Sequence, residues 1–111
     1  MWCDLAGLPG EIYEDGGVSK PSDVSIQSAS LYFLEVKTRV PYKFGQQVLE
    51  EITCARARVS VRTAGGQVAD GWGETPLSVG WVWPTTTLGY SHREDRLKAF
   101  SCRLAEAFGS F

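Results

Sequence analysis

The segment from Thr53 to Glu74 leaves this chain little conformational freedom, because two alternating runs flank Ala64-Gly65-Gly66-Gln67. Along Thr53–Thr63, Ala55, Ala57, Val59 and Val61 fall on one side, and Cys54, Arg56, Arg58, Ser60 and Arg62 on the other. A period of two is what a half-buried strand requires. The glycine pair tolerates the positive φ of a tight turn, so the chain returns as an antiparallel partner through Val68–Glu74. Gly71 and Gly73 leave one face of that returning strand nearly bare, which lets another backbone or a partner surface come close.

A third strand precedes this pair. Over Leu31–Val40, Tyr32, Leu34, Val36, Thr38 and Val40 share one side and Phe33, Glu35, Lys37 and Arg39 the other, so the even-numbered side reads as apolar and the odd side as mostly charged. Pro41 donates no backbone hydrogen bond and is expected to end the strand, leaving Pro41–Gln47 as a loop with two aromatics and a lysine. Downstream, Ser91-His92-Arg93-Glu94 has the form of a capping box. Leu97, Phe100, Leu104 and Phe108 follow at the spacing of one helical stripe, predicted to cover the sheet, and Gly109 is placed to close the helix. The fold class expected is α+β: a three-stranded antiparallel meander followed by a packing helix.

Residues 1–30 carry Pro9-Gly10, Gly16-Gly17 and Pro21-Ser22 with no periodic pattern, and read as a loose, partly disordered leader to a domain over 31–111. A length of 111 residues allows one small domain with a modest core. The net charge of −2 and pI near 5.3 argue against a nucleic-acid binder. No window approaches the roughly 20 apolar residues that span a bilayer, and residues 1–10 do not resemble a signal peptide. A cytoplasmic protein without a membrane partner is expected. Cys3, Cys54 and Cys102 are odd in number and far apart, which favours free thiols over a disulfide or zinc framework.

From Leu31 onward the ordered combination of Arg39-Val40-Pro41-Tyr42-Lys43-Phe44-Gly45, an Arg/Val strand, a glycine turn and Gly71-Trp72-Gly73-Glu74-Thr75-Pro76-Leu77 resembles the N-terminal capping domain of the enolase superfamily. The branch is that of mandelate racemase and muconate lactonizing enzyme. The resemblance implies an enolase N-terminal domain-like fold that packs on a (β/α)-barrel catalytic domain. A small carboxylate substrate would lie at the interface, shaped by the loops Pro41–Leu49 and Thr75–Pro84. It further implies isomerase, epimerase or lyase chemistry, with Mg²⁺ held by the barrel and α-proton abstraction by a barrel Lys or His. Those groups have no counterpart in this sequence, so no catalytic or metal-binding residue is assigned, and the chain alone is expected to be inactive. It reads as a truncated product or half of a split enzyme.

The substrate-contacting candidates are Lys43, for a carboxylate; Phe44, for the apolar part of a substrate; and Trp81 and Trp83, as wall or lid. Burial of the tryptophans in the core or against the barrel competes with the lid role. The resemblance makes Glu74 a structural carboxylate; His92 reads as a surface histidine, and the row Arg56, Arg58 and Arg62 facing Glu35, Lys37 and Arg39 reads as cross-strand charge pairs in preference to an interdomain polar surface. An alternative function is a free-standing module that binds a small ligand or a sugar through its aromatic loops.

Overall fold

The computed structural model describes residues 2–4, 20–45 and 47–109. Most of the leader, and the side chains of Cys3 and Phe44, lie outside the described residues. The elements run β1 (Trp2–Asp4), β2 (Val24–Phe44), β3 (Gln47–Thr63), β4 (Val68–Pro76), α1 (Val79–Val82) and α2 (Tyr90–Gly109). The strands form one antiparallel sheet in the order β1-β2-β3-β4. The α+β class and the meander therefore stand, with a short fourth strand added at the β2 edge.

Strand β2 is longer than its apolar pattern suggests at both ends. It starts at Val24, so residues 24–30, placed by sequence in the leader, pair with β3 as far as Val24↔Thr63. It also runs through Pro41 to Phe44, although Pro41 was expected to stop it. The ladder steps from Lys37↔Glu51 to Tyr42↔Leu49, leaving residues 38–41 against residue 50 alone. Pro41 sits in this bulge, where a missing N–H breaks no ladder bond. Thr38 Oγ1 serves the carbonyls there, lying 3.3 Å from that of Leu49 and 3.1 Å from that of Glu50. Gly45, at φ +61°, turns the chain into β3. At the other end Gly66 takes φ +87° in the Thr63–Gln67 turn, closed by Thr63 N–H donating to the Gln67 carbonyl at 2.8 Å.

The face of β2 that meets the helix is the odd-numbered one, the reverse of the sequence expectation. Ala29 and Leu31 are buried, and Phe33 packs on the cluster of Leu31, Ala55 and Cys102. Register decides this: Leu31 stands opposite Ala57 and Phe33 opposite Ala55, so the small inward residues of β3 leave room for large ones beside them. Tyr32 lies on the far face, stacked on Trp72.

Helix α2 is also turned from its predicted orientation. Arg93 and Cys102 are its buried residues, with Leu97 and Ser101 half-buried between them and Ala105 half-buried one turn further on. Phe100, Leu104 and Phe108 remain 52%, 54% and 54% exposed. A wheel of 100° per residue places Phe100 about 160° from Cys102. Small side chains line the approach to the sheet, and the large apolar stripe faces outward. The helix begins at Tyr90, so Ser91 lies inside it, and Glu94 accepts a hydrogen bond from Thr53 rather than completing a capping box. Gly109 is the last helical residue and does not take a left-handed conformation beyond the end. Cys54 is a free thiol, but Cys102 is disulfide-bonded, so the expectation of free thiols fails there. Distance along the chain is no guide to which sulfurs meet in space.

Buried Thr53 joins three elements. Its hydroxyl donates to Glu94 Oε1 at 2.6 Å and its carbonyl accepts from Leu77 N–H at 2.8 Å. Thr53→Val should lower unfolding free energy by about 1–3 kcal/mol, the range for losing a hydrogen bond to a carboxylate. Val79, only 1% exposed, should cost about 1–3 kcal/mol when cut to Ala. Exposed Val68→Ala should stay within about 0.5 kcal/mol. Urea unfolding of the three variants checks this ranking.

Candidate functional site

After β4 the chain must cross from the sheet edge to α2, and two contacts hold the crossing close to the body. Leu77 is tied to Thr53 through the backbone and packs on the core, and Val79 is fully buried. Between and after them, Ser78 accepts the Trp81 and Val82 N–H groups at 3.0 and 2.9 Å, forming the single turn α1. Gly80 lies against the side chain of Gln47: a Cβ at position 80 would stand 2.5 Å from Gln47 Oε1. The crossing thereby meets the tip of the β2–β3 hairpin.

A cleft of about 420 Å³ opens between them. Tyr42, Gln47, Leu49 and Ile52 supply the hairpin side. Leu77, Val79, Gly80 and Trp81 supply the other side, and Tyr90 of α2 closes one end. The two segments singled out in the sequence, 41–49 and 75–84, thus share one cavity.

The candidate residues fall unequally around it. Trp81 lines the cleft and is 74% exposed. Lys43 is exposed and pairs with Val48, one residue beyond the cleft-lining pair Tyr42↔Leu49. Alternation along a strand puts it on the other hairpin face, and it is not a lining residue. The Phe44 backbone pairs with that of Gln47 at the hairpin tip. Trp83 is 37% exposed and also lies off the cleft. An extended segment would have set Trp81 and Trp83 on one side, but the helical turn directs residues two apart to different sides. Gln47 and Tyr90 carry no sequence signal that marks them as lining residues, since they meet only through tertiary structure.

Arg93 was legible only as part of a capping box, yet it is 3% exposed. Its Nη1 donates to the Trp83 carbonyl at 2.7 Å and its guanidinium lies 5.9 Å from the Tyr90 ring centre. Its Nε has no hydrogen-bond partner. Arg93 thus fastens the end of the crossing to α2. Burial, then the nearby Glu94 carboxylate, push the Tyr90 phenol above its usual range despite the opposing Arg93 charge, keeping it a neutral hydroxyl at the cleft end.

The sheet face opposite α2 carries an ordered polar and aromatic row. Arg56 Nε pairs with Glu74 Oε2 at 2.5 Å, and Arg58 Nη2 with Asp70 Oδ2 at 2.5 Å. Arg58 lies 5.8 Å from the Trp72 ring centre, and Trp72 stacks on Tyr32 at 6.0 Å. Arg56 and Arg58 therefore pair with acids of β4 and not with the facing row of β2. Hydrogen bonding from Arg58 holds Asp70 below the usual carboxylate range. His92 is exposed on the first turn of α2. Among the described residues, a Cβ added at Gly71 or Gly73 would meet nothing within 4 Å, so none of them fills the bare strip on β4.

Among the described residues, no three His, Cys, Asp or Glu side chains come together as metal ligands. No helix among the described residues is long and apolar enough to cross a membrane. The chain matches no protein-family model, no curated protein and no solved structure in the comparisons made.

Burial, followed by the negative charge of Glu74, raises the Cys54 thiol above its ordinary value, with Arg56 opposing. The thiolate is the reactive form, so alkylation by iodoacetamide at pH 8 should be slower than for a fully exposed cysteine in a short peptide and should accelerate only at higher pH. Glu74→Gln should shift the rate–pH curve toward lower pH. An unchanged curve would mean that Glu74 does not act on the thiol.

Proposed function

We propose that this chain is the substrate-selecting cap of an enolase-superfamily enzyme of the mandelate racemase and muconate lactonizing enzyme type, acting on a (β/α)-barrel supplied separately. The observation that carries the reading is the meeting of the hairpin tip and the post-β4 crossing in one cleft with exposed Trp81 on its wall. A cap needs such a construction, because two loops can cover a barrel mouth and exclude water only if the sheet holds them side by side.

Further support comes from apolar surface left in water. Phe100, Leu104 and Phe108 on α2, and Trp81 and Val82 beside the cleft, are exposed. Among the described residues, the buried apolar ones are Ala29, Leu31, Ala55, Val79 and Cys102, none of them aromatic. The i, i+4, i+8 spacing of Phe100, Leu104 and Phe108 sets them along one side of α2, and such a stripe left in water supports a docking role. In this reading the cap contributes selection and closure, while proton abstraction and Mg²⁺ binding belong to the barrel. The second reading, a free-standing small-ligand module, is favoured by one observation: Trp81, Tyr42 and Tyr90 stand around a cleft of about 420 Å³, a size and lining suited to a small ligand.

Titration of the chain with a separately produced enolase-superfamily barrel separates the two. The cap reading expects a blue shift in tryptophan emission and Mg²⁺-dependent α-proton exchange on a panel of carboxylates. Leu104→Asp, a change at an exposed residue, should weaken docking about tenfold or more. A chain that ignores every barrel offered and restores no exchange rejects the cap assignment.

A further inference from the structure

We infer that the cleft receives an uncharged, largely apolar group, aromatic or branched aliphatic, bearing one neutral hydrogen-bonding function such as an amide or hydroxyl. The cap reading supplies the place of the reacting end of the substrate, so the inference rests on it in that one respect. The choice of chemical class comes from the cleft itself.

None of the described lining residues is Asp, Glu, Lys, Arg or His. Leu49, Ile52, Leu77 and Val79 offer hydrocarbon and Trp81 an indole face. Moving an ionised carboxylate into such surroundings is unfavourable unless an opposite charge or several donors meet it. The cations that might do so point elsewhere: Lys43 falls on the other hairpin face, and Arg93 is buried against Trp83 and Tyr90. The carboxylate that the barrel would act on must therefore lie outside this cleft, with the distal part of the molecule inside.

The neutral polar groups set the second half of the class. Gln47 carries a carboxamide held beside Gly80, and Ser78, Tyr42 and Tyr90 carry hydroxyls. An amide can both donate to and accept from such groups. A polyhydroxylated chain would leave several hydroxyls against hydrocarbon without partners. A volume of about 420 Å³ lies within the range of small-molecule sites and admits a phenyl ring with a short side chain.

The test uses the chain as it is, without a barrel. 3-Phenylpropanamide, 3-phenylpropanoate and gluconate are titrated at pH 7 while the Trp81 indole N–H resonance is followed, assigned by comparison with Trp81→Phe. The amide should shift it saturably and bind about tenfold or more tighter than its carboxylate counterpart, with gluconate weaker still. Trp81→Ala, at a residue that is 74% exposed, should keep the fold and weaken the amide several-fold. Equal or tighter binding of either carboxylate overturns the inference, as does no saturable shift with the amide or full affinity in Trp81→Ala. A chain that docks on a barrel but prefers gluconate loses this inference alone. One that binds the amide yet never docks loses the cap reading and retains the cleft's chemistry.

Discussion

The tertiary arrangement hangs on Thr53. It is buried in β3, where its hydroxyl holds Glu94 of α2 and its carbonyl holds Leu77 of the crossing. One residue thereby sets where the helix lies on the sheet and where the chain leaves the β4 edge. A polar joint of this kind, largely removed from water, is directional in a way that apolar contact is not. Among the described residues, the core cluster is Leu31, Ala55 and Cys102 with Phe33, Ala57, Leu77 and Ala105 packed on it, so few large side chains there fix the same geometry by packing alone.

Two consequences follow for the surface. With α2 anchored through Glu94, Cys102 and the small residues near it, the helix presents Phe100, Leu104 and Phe108 to solvent. With Leu77 and Val79 drawn inward, α1 swings Trp81 outward beside the hairpin tip. Apolar exposure and the cleft are thus two results of one constraint. Arg93 reinforces it from the other end, because its hydrogen bond to the Trp83 carbonyl holds the end of the crossing against α2.

Much of the sheet was legible because period-two patterning and turn chemistry are local. The β3–β4 pair, its Gly65-Gly66 turn and its inward row of Ala55, Ala57, Val59 and Val61 appear where alternation places them. The inward face of β2 was not legible, since both of its faces carry large apolar residues and the register with β3 chose between them. Pro41 misled for a related reason: proline excludes a ladder bond, but a bulge needs none there. Of the site residues, Trp81 was visible as an unusual aromatic, whereas Gln47 and Tyr90 join it only when distant segments meet.

The sequence by itself determined the antiparallel meander, the terminal helix and the two segments carrying aromatic residues, because each depends on spacing within a few neighbouring positions. Tertiary structure alone decided which face of α2 meets the sheet, that Lys43 and Trp83 stand outside the cleft, and that Arg93 is buried. Those outcomes depend on register, on one helical turn at Val79–Val82 and on the Thr53 joint. Each is set by groups far apart in the chain, whose energies no local pattern contains.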